Sequence, residues 1–554
     1  MFELNYIKHK NEELFASFKN FDFEQIQNYI PIFNLFFSLN ENNYNKINLE
    51  NSYYLKNVIE KEKENIYKVH LQNNLKKRSF FKFSPLFDPI KYLMGKYETH
   101  ADFFDLPNLL NKNNSQRSNN ANNSAYTDSF FCFLSSKLLD QGFLHGLEFY
   151  GSFVSLKEKF HYNIFDDFDL LNESEFFHTN LEKKFNIDQG KIDFFYGDSK
   201  KHRKKLDIGK EVADIEVQPI STCFENFEQI FSDNKKLPSY QELIYNSEIL
   251  STTKNVSQSK HSSSTCSSRT SNTSNENSDS NSEDDDYTDD DSIESNKEEE
   301  ENLQVIINKY PVNVICLESL DNTLDAFIEQ STSITIMEWK SILFQILIIL
   351  TTFQKIFNFT HNDLHSNNIM YKSTEKKFLC YKYNGKFYKV PTFGKIIKLI
   401  DFGRAIYNFR DQLIYSDSFD KKGDAASQYN FGPIYNPKKT KIMPNFSFDL
   451  TRLACSLYDH FVPYHEERKK IKNPITKLII KWCMDDFGKH ILYKKNGIER
   501  YPDFKLYKMI ARNVHNHIPA QELLNPIFND FIVGRKQLKK KKIICIDKYE
   551  KCYQ

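Results

Sequence analysis

Two short polar motifs contain the residues best suited to chemistry. The segment 360–370 reads THNDLHSNNIM and places Asp363 five residues before Asn368. A second carboxylate, Asp401, begins an Asp-Phe-Gly tripeptide directly after the apolar stretch 396–400. Carboxylate and amide oxygens are the hard ligands that Mg²⁺ prefers, and a carboxylate can also orient a hydroxyl and accept its proton. Phosphoryl transfer needs both, because alignment and charge neutralisation do most of its work.

The two motifs resemble the catalytic loop and the metal-binding motif of the protein-kinase superfamily, His-x-Asp-x-x-x-x-Asn and Asp-Phe-Gly. The resemblance implies that Asp363 is the catalytic base and that Asn368 and Asp401 bind Mg²⁺. It also implies ATP as the phosphate donor and a protein as the acceptor.

Five neighbouring residues have expected supporting roles. His361 is expected to pack under the loop, Asp449 to brace it, and Gly403 to allow a sharp turn after the metal ligand. His365 stands where these kinases usually have Lys, and two roles stay open: contact with the transferring phosphate, or support of the loop. Asn362 replaces the usual Arg and cannot pair bidentately with a phosphate, so we expect no readout of phosphorylation there.

The nucleotide-binding half of the pattern is less complete. The segment 314–328 (VICLESLDNTLDAFI) resembles the hinge, where the backbone groups of Glu318 and Leu320 would meet the adenine ring. No Gly-x-Gly-x-x-Gly is present, and the nearest candidate for a glycine loop is Gly151. The phosphate-holding Lys is not evident either. The candidates for this Lys are Lys191 and Lys210, and the acid that would pair with it is Glu242 or Glu248.

A narrower resemblance is to the serine/threonine kinase-like proteins of giant nucleocytoplasmic DNA viruses, such as mimivirus. It covers most of residues 80–530. The segments that carry it are SPLFDPIKYL (84–93), YTDSFFCFLSSKLL (126–139), GLEFYGSF (146–153), GKIIKLIDFGRAIY (394–407), SDSFDKKGDAASQYNFGP (416–433), PNFSFDLTRLACSLYD (444–459) and ERYPDFKLYKMIARNVHNHIP (499–519). This resemblance implies a virus-encoded protein of the host cytoplasm or the virion.

The resemblance also implies an α+β, bilobal kinase-like fold with a small β-rich N-lobe and a larger helical C-lobe. The Ser/Thr/Asn-rich and then acidic tract 251–302 has little to bury, so we predict a disordered insertion within the N-lobe. The predicted divisions are an N-terminal extension of unknown role (1–110), an Asn/Ser linker (111–124), the kinase-like domain (125–530, with the N-lobe at about 125–320 and the C-lobe at about 321–530) and a basic tail (531–554).

Charge and cysteine content exclude several classes of protein. The chain has 74 basic and 74 acidic residues, but 12 of the acids and only one base lie in 281–301, which leaves +11 elsewhere. Neutrality is therefore no argument against an anionic substrate. Nine scattered cysteines without Cys-x-x-Cys spacing argue against a disulfide scaffold or a structural zinc site. The apolar stretch 342–353 is too short to cross a bilayer, so we expect a soluble intracellular protein.

Three functions are compatible with this pattern. The favoured one is a serine/threonine protein kinase, for which Tyr415, Ser416 and Ser418 are candidate phosphorylation sites. The missing Lys and glycine loop leave open a pseudokinase that acts as a binding module, and His365 leaves open a small-molecule phosphotransferase. The basic run 534–542 could touch nucleic acid or another anionic surface, although a solvated tail is favoured. The sequence predicts no oligomeric state.

Overall fold

The computed structural model describes residues 3–8, 11–97, 105–110, 117–187, 303–538 and 542–553. Strands in these ranges are numbered in chain order. They are β1 (Tyr6–Lys8), β2 (Phe23–Gln27), β3 (Ile47–Leu49), β4 (Leu55–Lys63), β5 (Ile66–Leu71), β6 (Lys76–Pro85), β7 (Phe149–Asn163), β8 (Phe185–Ile187), β9 (Gln304–Glu318), β10 (Asn322–Thr323), β11 (Ile369–Ser373), β12 (Phe378–Tyr383), β13 (Lys386–Pro391), β14 (Lys395–Leu399), β15 (Ile406–Phe409), β16 (Gln412–Tyr415), β17 (Ile532–Val533) and β18 (Ile544–Cys545).

Most of the longer helices come after the strands of the main sheet in sequence. One of them, Ser124–Asp140, comes between two of those strands in sequence. In the described ranges the helices are α1 (Glu12–Phe18), α2 (Pro89–Leu93), α3 (Ser124–Asp140), α4 (Phe168–Asn172), α5 (Glu175–Asn180), α6 (Leu324–Gln330), α7 (Ile336–Phe357), α8 (Phe448–Phe461), α9 (Pro474–Trp482), α10 (Lys505–Asn513) and α11 (Pro519–Glu522). The α+β class predicted from the sequence is therefore confirmed, with a β-rich N-terminal region and helical segments after it.

The main sheet is antiparallel and has the order β2-β7-β9-β6-β5-β4, with β8 beside the first half of β9. Buried and less buried side chains alternate along the inner strands. In β5 every second side chain is buried, as expected of a strand with one face on the core. Strand β9 is buried along its second half because β6 and β7 flank it. In that register Lys82 of β6 lies opposite Ile315.

This sheet corrects the predicted domain boundary at residue 125. Strands β4, β5 and β6, from residues 55–85, pair with one another, and β6 pairs along its length with β9. The described part of residues 1–110 is therefore no separate extension, because it supplies four of the seven strands of this sheet. A hydrophobic pattern alone does not show which distant strand will be the neighbour, and the boundary was placed at the polar tract instead.

Helix α3 packs against β7 and β9 and begins inside the predicted linker 111–124. The side chain of Asn123 caps it by accepting a hydrogen bond from the amide of Ala125 (3.0 Å). Asn123 and Ser118 are fully buried, so the end of the polar tract is part of the packed structure. The amide nitrogen of Asn123 also donates to the backbone oxygen of Leu86 (2.9 Å), so this side chain is satisfied by helix capping and backbone contacts.

Apolar residues at helical spacing over 337–357 predict a core helix, and helix α7 agrees with that prediction. Thr335 caps its first turn, and Asn358 in the left-handed conformation (φ 51°) ends it. It is long and apolar enough to cross a membrane, but most of its side chains are buried inside the protein. Burial of that kind is typical of a core helix.

Asn384-Gly385, between alternating Tyr, Phe and Lys residues, predicts a hairpin. The structure confirms it, since these two residues join β12 to β13 with positive φ angles of 47° and 71°. Strands β17 and β18 then pair with β13 and β12, respectively. Four residues of the predicted basic tail 531–554 are therefore part of this small sheet. The predicted acidic insertion 251–302 lies outside the described residues.

Candidate functional site

A buried carboxylate holds the backbone of the candidate catalytic loop, residues 360–368. Asp449, near the start of α8, accepts hydrogen bonds from the backbone amides of His361 and Asn362, both at 2.9 Å. The ring of His361 is completely buried and contacts the backbone oxygen of Ile400 through Nε2 (2.9 Å). Asp449 therefore holds the backbone at the start of the loop, and His361 packs beneath it.

Asp363 lies at the centre of this loop and is largely buried. Its Oδ1 accepts a hydrogen bond from the hydroxyl of Tyr507 (2.7 Å), and its Oδ2 lies 3.9 Å from Nη1 of Arg404. Burial alone would raise the pKa of Asp363, but the charge of Arg404 and the other neighbouring donors outweigh it and lower that pKa. The carboxylate is thus ionised and oriented, as a base that receives a hydroxyl proton must be.

The loop also orients Asn368, which ends a short 3₁₀ turn at Ser366–Asn368. Its Nδ2 donates to the backbone oxygen of Asp363 (2.9 Å) and lies 3.1 Å from Nε2 of His365. Burial lowers the pKa of His365 to about 4, so its ring is neutral near pH 7 and can accept that hydrogen bond. Of the two roles left open for His365, the observed contact favours support of the loop.

Asp401 is adjacent to Asn368 in the fold, because the amide of Ile400 donates to the backbone oxygen of Asn368 (3.0 Å). Its side chain is 46% exposed, and its backbone is in the left-handed region (φ 62°). The sharp turn expected at Gly403 therefore falls at Asp401 itself. A Cβ at Gly403 would lie 3.3 Å from Oδ1 of Asp401, so the glycine instead leaves room for the carboxylate.

A lysine that the sequence analysis missed faces Asp401. The Nζ atom of Lys82 in β6 lies 2.8 Å from Oδ1 of Asp401 and 2.6 Å from Oδ2 of Asp128 in α3. Burial would lower the pKa of Lys82, but the two carboxylates raise it above its ordinary value, so the ammonium is always charged. Asp128 also accepts a hydrogen bond from the amide of Phe402 through Oδ1 (2.9 Å).

Asp128 therefore ties together a strand, a helix and the Asp-Phe-Gly turn. The phenyl ring of Phe402 strengthens this junction, since it packs against Phe131 of the same helix (4.7 Å between ring centroids). Two signals in the sequence could have revealed the pair. Lys82 stands alone among alternating aromatic residues in FFKFSP, and Asp128 is the one acid in the otherwise apolar or neutral run AYTDSFFCFLSS.

One residue proposed for the nucleotide side, Gly151, needs correction. Gly151 lies within β7, opposite Cys316, and not in a hairpin turn, so it is not a glycine loop. The hairpin turn that joins β4 to β5 contains Glu64 and Asn65 and no glycine. Strand β5 lies next to β6 in the sheet. The candidate lysines and their acids lie outside the described residues, namely Lys191, Lys210, Glu242 and Glu248.

The predicted hinge lies at the end of β9. The side chain of Glu318 is buried, forms an ion pair with Lys398 and accepts a hydrogen bond from the amide of Glu148 (3.0 Å). Its own amide donates to the backbone oxygen of Glu148 (2.9 Å). Leu320 follows the strand and is half-buried. The end of β9 is thus fixed to β14, the strand that leads to Asp401.

The segment after Gly403 is ordered by contacts within the chain. The side chain of Asn362 is fully buried, where its Nδ2 donates to the backbone oxygen of Arg404 (2.9 Å) and its Oδ1 accepts from the hydroxyl of Tyr429 (2.6 Å). Arg404 in turn forms a largely buried ion pair with Asp424. The predicted phosphorylation sites are also buried, so a modifying enzyme would not reach them without local unfolding: Tyr415, Ser416 and Ser418.

The oxygen atoms at this site fit Mg²⁺ as the kinase resemblance requires. Asp401 supplies a half-exposed carboxylate and Asn368 an amide whose nitrogen is already directed at other partners. Two protein ligands suit Mg²⁺, which usually keeps water or phosphate oxygens in its remaining positions. Among the described residues no group of three or more His, Cys, Asp or Glu could hold a metal ion, so a closed zinc-type site is not seen there.

Comparison with known proteins gives three partial matches, and no family model matches the chain. It is 33% identical over 115 residues to a Dictyostelium discoideum protein named as a probable serine/threonine-protein kinase, covering 19% of this chain and 9% of that protein. It is 36% identical over 91 residues to the serine/threonine-protein kinase haspin of Mus musculus, covering 15% of this chain and 12% of haspin. It is 41% identical over 63 residues to haspin of Bos taurus, covering 11% of this chain and 8% of that protein. The matched part is thus at most about an eighth of each relative's length. These similarities support a place for the chain in the protein-kinase superfamily.

Proposed function

We propose that this protein transfers the terminal phosphate of ATP to serine or threonine hydroxyls of proteins. The observation that carries the proposal is the contact of Lys82 with both Asp128 and Asp401. A permanently charged ammonium beside a half-exposed carboxylate is suited to a nucleotide whose phosphates bring both Mg²⁺ and negative charge. Its presence answers one of the two reasons for a pseudokinase, the apparent lack of such a lysine. The named kinases among the relatives also do not favour that alternative.

The chain's own residues suggest how the reaction would proceed. The acceptor hydroxyl would approach Oδ2 of Asp363, which takes its proton as the oxygen forms a bond to the γ-phosphorus and the bond to the ADP oxygen breaks. Asn368 and Asp401 would hold Mg²⁺, which supplies neutralisation of the phosphate charge when bound. The ammonium of Lys82 would align the phosphates. In a bilobal arrangement of the kind these kinases have, the nucleotide would lie between the main sheet and the candidate catalytic loop.

The test compares incorporation of label from γ-labelled ATP into casein by purified wild-type protein and by Asp363→Ala, Asp401→Ala and Lys82→Met. Lys76→Met is a matched control, because Lys76 is exposed at the start of the same strand. We expect wild type and the control to incorporate label and the other three to lose at least about 100-fold of that rate. Equal incorporation by wild type and Asp363→Ala would refute the proposal.

The two alternative functions give different results in the same assay. A pseudokinase would show a thermal shift with Mg²⁺-ATP in wild type but no transfer that depends on Asp363. A small-molecule phosphotransferase would place label in the acid-soluble fraction and not in precipitated protein. Phosphoamino-acid analysis of the casein then distinguishes serine and threonine from tyrosine as acceptors.

A further inference from the structure

A tyrosine from outside the two kinase motifs contacts the proposed base. Tyr507 is in α10, some 140 residues after the catalytic loop, and its hydroxyl donates to Oδ1 of Asp363 (2.7 Å). The same hydroxyl oxygen accepts a hydrogen bond from Nε of Arg452 in α8 (2.8 Å). All three side chains are largely or fully buried. They form a chain of hydrogen bonds in one direction, from guanidinium to phenol to carboxylate.

The phenol ring has little freedom to move. It stacks on Phe504 with ring centroids 5.3 Å apart and an interplanar angle of 13°. The guanidinium groups of Arg452 and Arg404 lie 5.1 and 5.8 Å from its centroid. Burial raises the pKa of Tyr507, and the charge of Asp363 raises it further, although Arg452 opposes this, so the hydroxyl stays protonated and can only donate to the carboxylate.

We propose that Tyr507 is a positioning residue for the transfer reaction: it holds Oδ1 of Asp363 so that Oδ2 faces the acceptor hydroxyl. This inference rests on the proposed function. A base with one oxygen held by a fixed donor has one rotamer, and alignment of this kind is where much of the rate of phosphoryl transfer arises. Arg404 lies at 3.9 Å from Oδ2, beyond hydrogen-bond distance, and so leaves that oxygen able to accept from a substrate.

A purely structural role is the competing explanation, because removing the hydroxyl also leaves Nε of Arg452 without that partner. The two explanations differ in where the effect appears. A positioning residue acts through Asp363, so its removal lowers kcat and has no further effect once the carboxylate is gone. A structural residue would weaken the enzyme by the same factor whether or not the carboxylate is present.

The experiment is a double-mutant cycle of Tyr507→Phe and Asp363→Asn, measured as kcat and KM for Mg²⁺-ATP and for casein. We expect Tyr507→Phe alone to lower kcat by about 10- to 100-fold with both KM values within about twofold. In the Asp363→Asn background we expect a further change of no more than about twofold. Tyr458→Phe is the matched control, since this buried tyrosine of α8 contacts His465 and not Asp363 (2.8 Å to Nδ1).

Each outcome decides the matter. Unchanged kcat in Tyr507→Phe, or an equal factor in both backgrounds as expected for Tyr458→Phe, would overturn the positioning role while the proposed function stands. Equal rates in wild type and Asp363→Asn would instead overturn the proposed function, and the positioning role with it. If Tyr507→Phe does not fold, Arg452→Lys tests the same chain of hydrogen bonds, with a smaller loss of kcat that again disappears in Asp363→Asn.

Discussion

Replacing Asp128 by Asn tests the junction on which the proposed function depends. The carboxylate is 2% exposed and lies between Nζ of Lys82 (2.6 Å) and the amide of Phe402 (2.9 Å). Asparagine has nearly the same size, so no cavity forms. Its carbonyl oxygen can still accept from Phe402, but its amide group faces the ammonium of Lys82 and carries no negative charge. The substitution therefore removes one interaction, the ion pair, with little change in packing.

The expected size of the effect follows from burial. Breaking a buried ion pair by removing one partner costs about 3–5 kcal/mol. Lys82 is 25% exposed and keeps Asp401 at 2.8 Å, so we expect about 2 kcal/mol in the free energy of unfolding and a Tm lower by about 5 °C. Without Asp128, Lys82 is drawn towards Asp401 and no longer holds the phosphates. A loss of about 100-fold in kcat/KM for ATP, or about 2.7 kcal/mol of transition-state stabilisation, is expected.

The assay combines thermal unfolding with steady-state kinetics at varied Mg²⁺-ATP. Asp140→Asn is the matched control, because Asp140 is an exposed acid at the end of the same helix. Its Tm should stay within about 1 °C of wild type and its kcat/KM within about twofold. If Asp128→Asn kept the kcat/KM of Asp140→Asn, then Asp128 would not position Lys82 for the reaction. A lower Tm with unchanged kinetics would mean that the ion pair serves only the fold.

Three further predictions concern the segment after Gly403. Asp424→Asn should lower the free energy of unfolding by about 2–3 kcal/mol and reduce kcat, as denaturant titration and kinetics would show, since it leaves Arg404 without the anion it pairs with. Burial raises the pKa of Asp417 to about 6, so between about pH 4 and 6 the folded state binds more protons than the unfolded state. The free energy of unfolding of wild type therefore falls as pH rises through that window. Asp417→Asn cannot lose a proton there, so its free energy of unfolding should gain about 2 kcal/mol relative to wild type between pH 4.5 and 7, measured by urea unfolding at both pH values. Phosphatase treatment should leave kcat within about twofold, because the hydroxyls expected to be modified are buried, namely those of Tyr415, Ser416 and Ser418. A larger loss of kcat would contradict this prediction.

Local patterns in the sequence predicted the elements that depend on local physics. The core helix at 337–357 was predictable because apolar residues recur at helical spacing, and the structure adds only the cap at Thr335. The hairpin at Asn384-Gly385 was predictable because both residues accept positive φ. The candidate catalytic loop and Asp401 were picked out by motif spacing, and the structure shows that they are neighbours.

Lys82 was missed because its contacts depend on pairing between distant segments. It reaches Asp128 and Asp401 only because β6 lies beside β9, more than 220 residues later in the chain, and because α3 brings Asp128 within 2.6 Å. Neither neighbour is encoded in the few residues around Lys82. Gly151 was misassigned for the same reason: a single glycine beside aromatic residues is as compatible with a strand interior as with a turn, and the pairing with β9 decides between them.

The exchange of Arg for Asn at position 362 changes how the segment after Gly403 is held. A buried Arg there would need an anion, whereas Asn362 is satisfied by the neutral hydroxyl of Tyr429 and a backbone oxygen. The cation near the loop is instead Arg404, and its anion, Asp424, belongs to the same segment. Because that pair is permanent, the order of this segment needs no added phosphate. Loss of the Asp424 charge, rather than dephosphorylation, is therefore the change that should disorder it and displace Arg404 from Asp363.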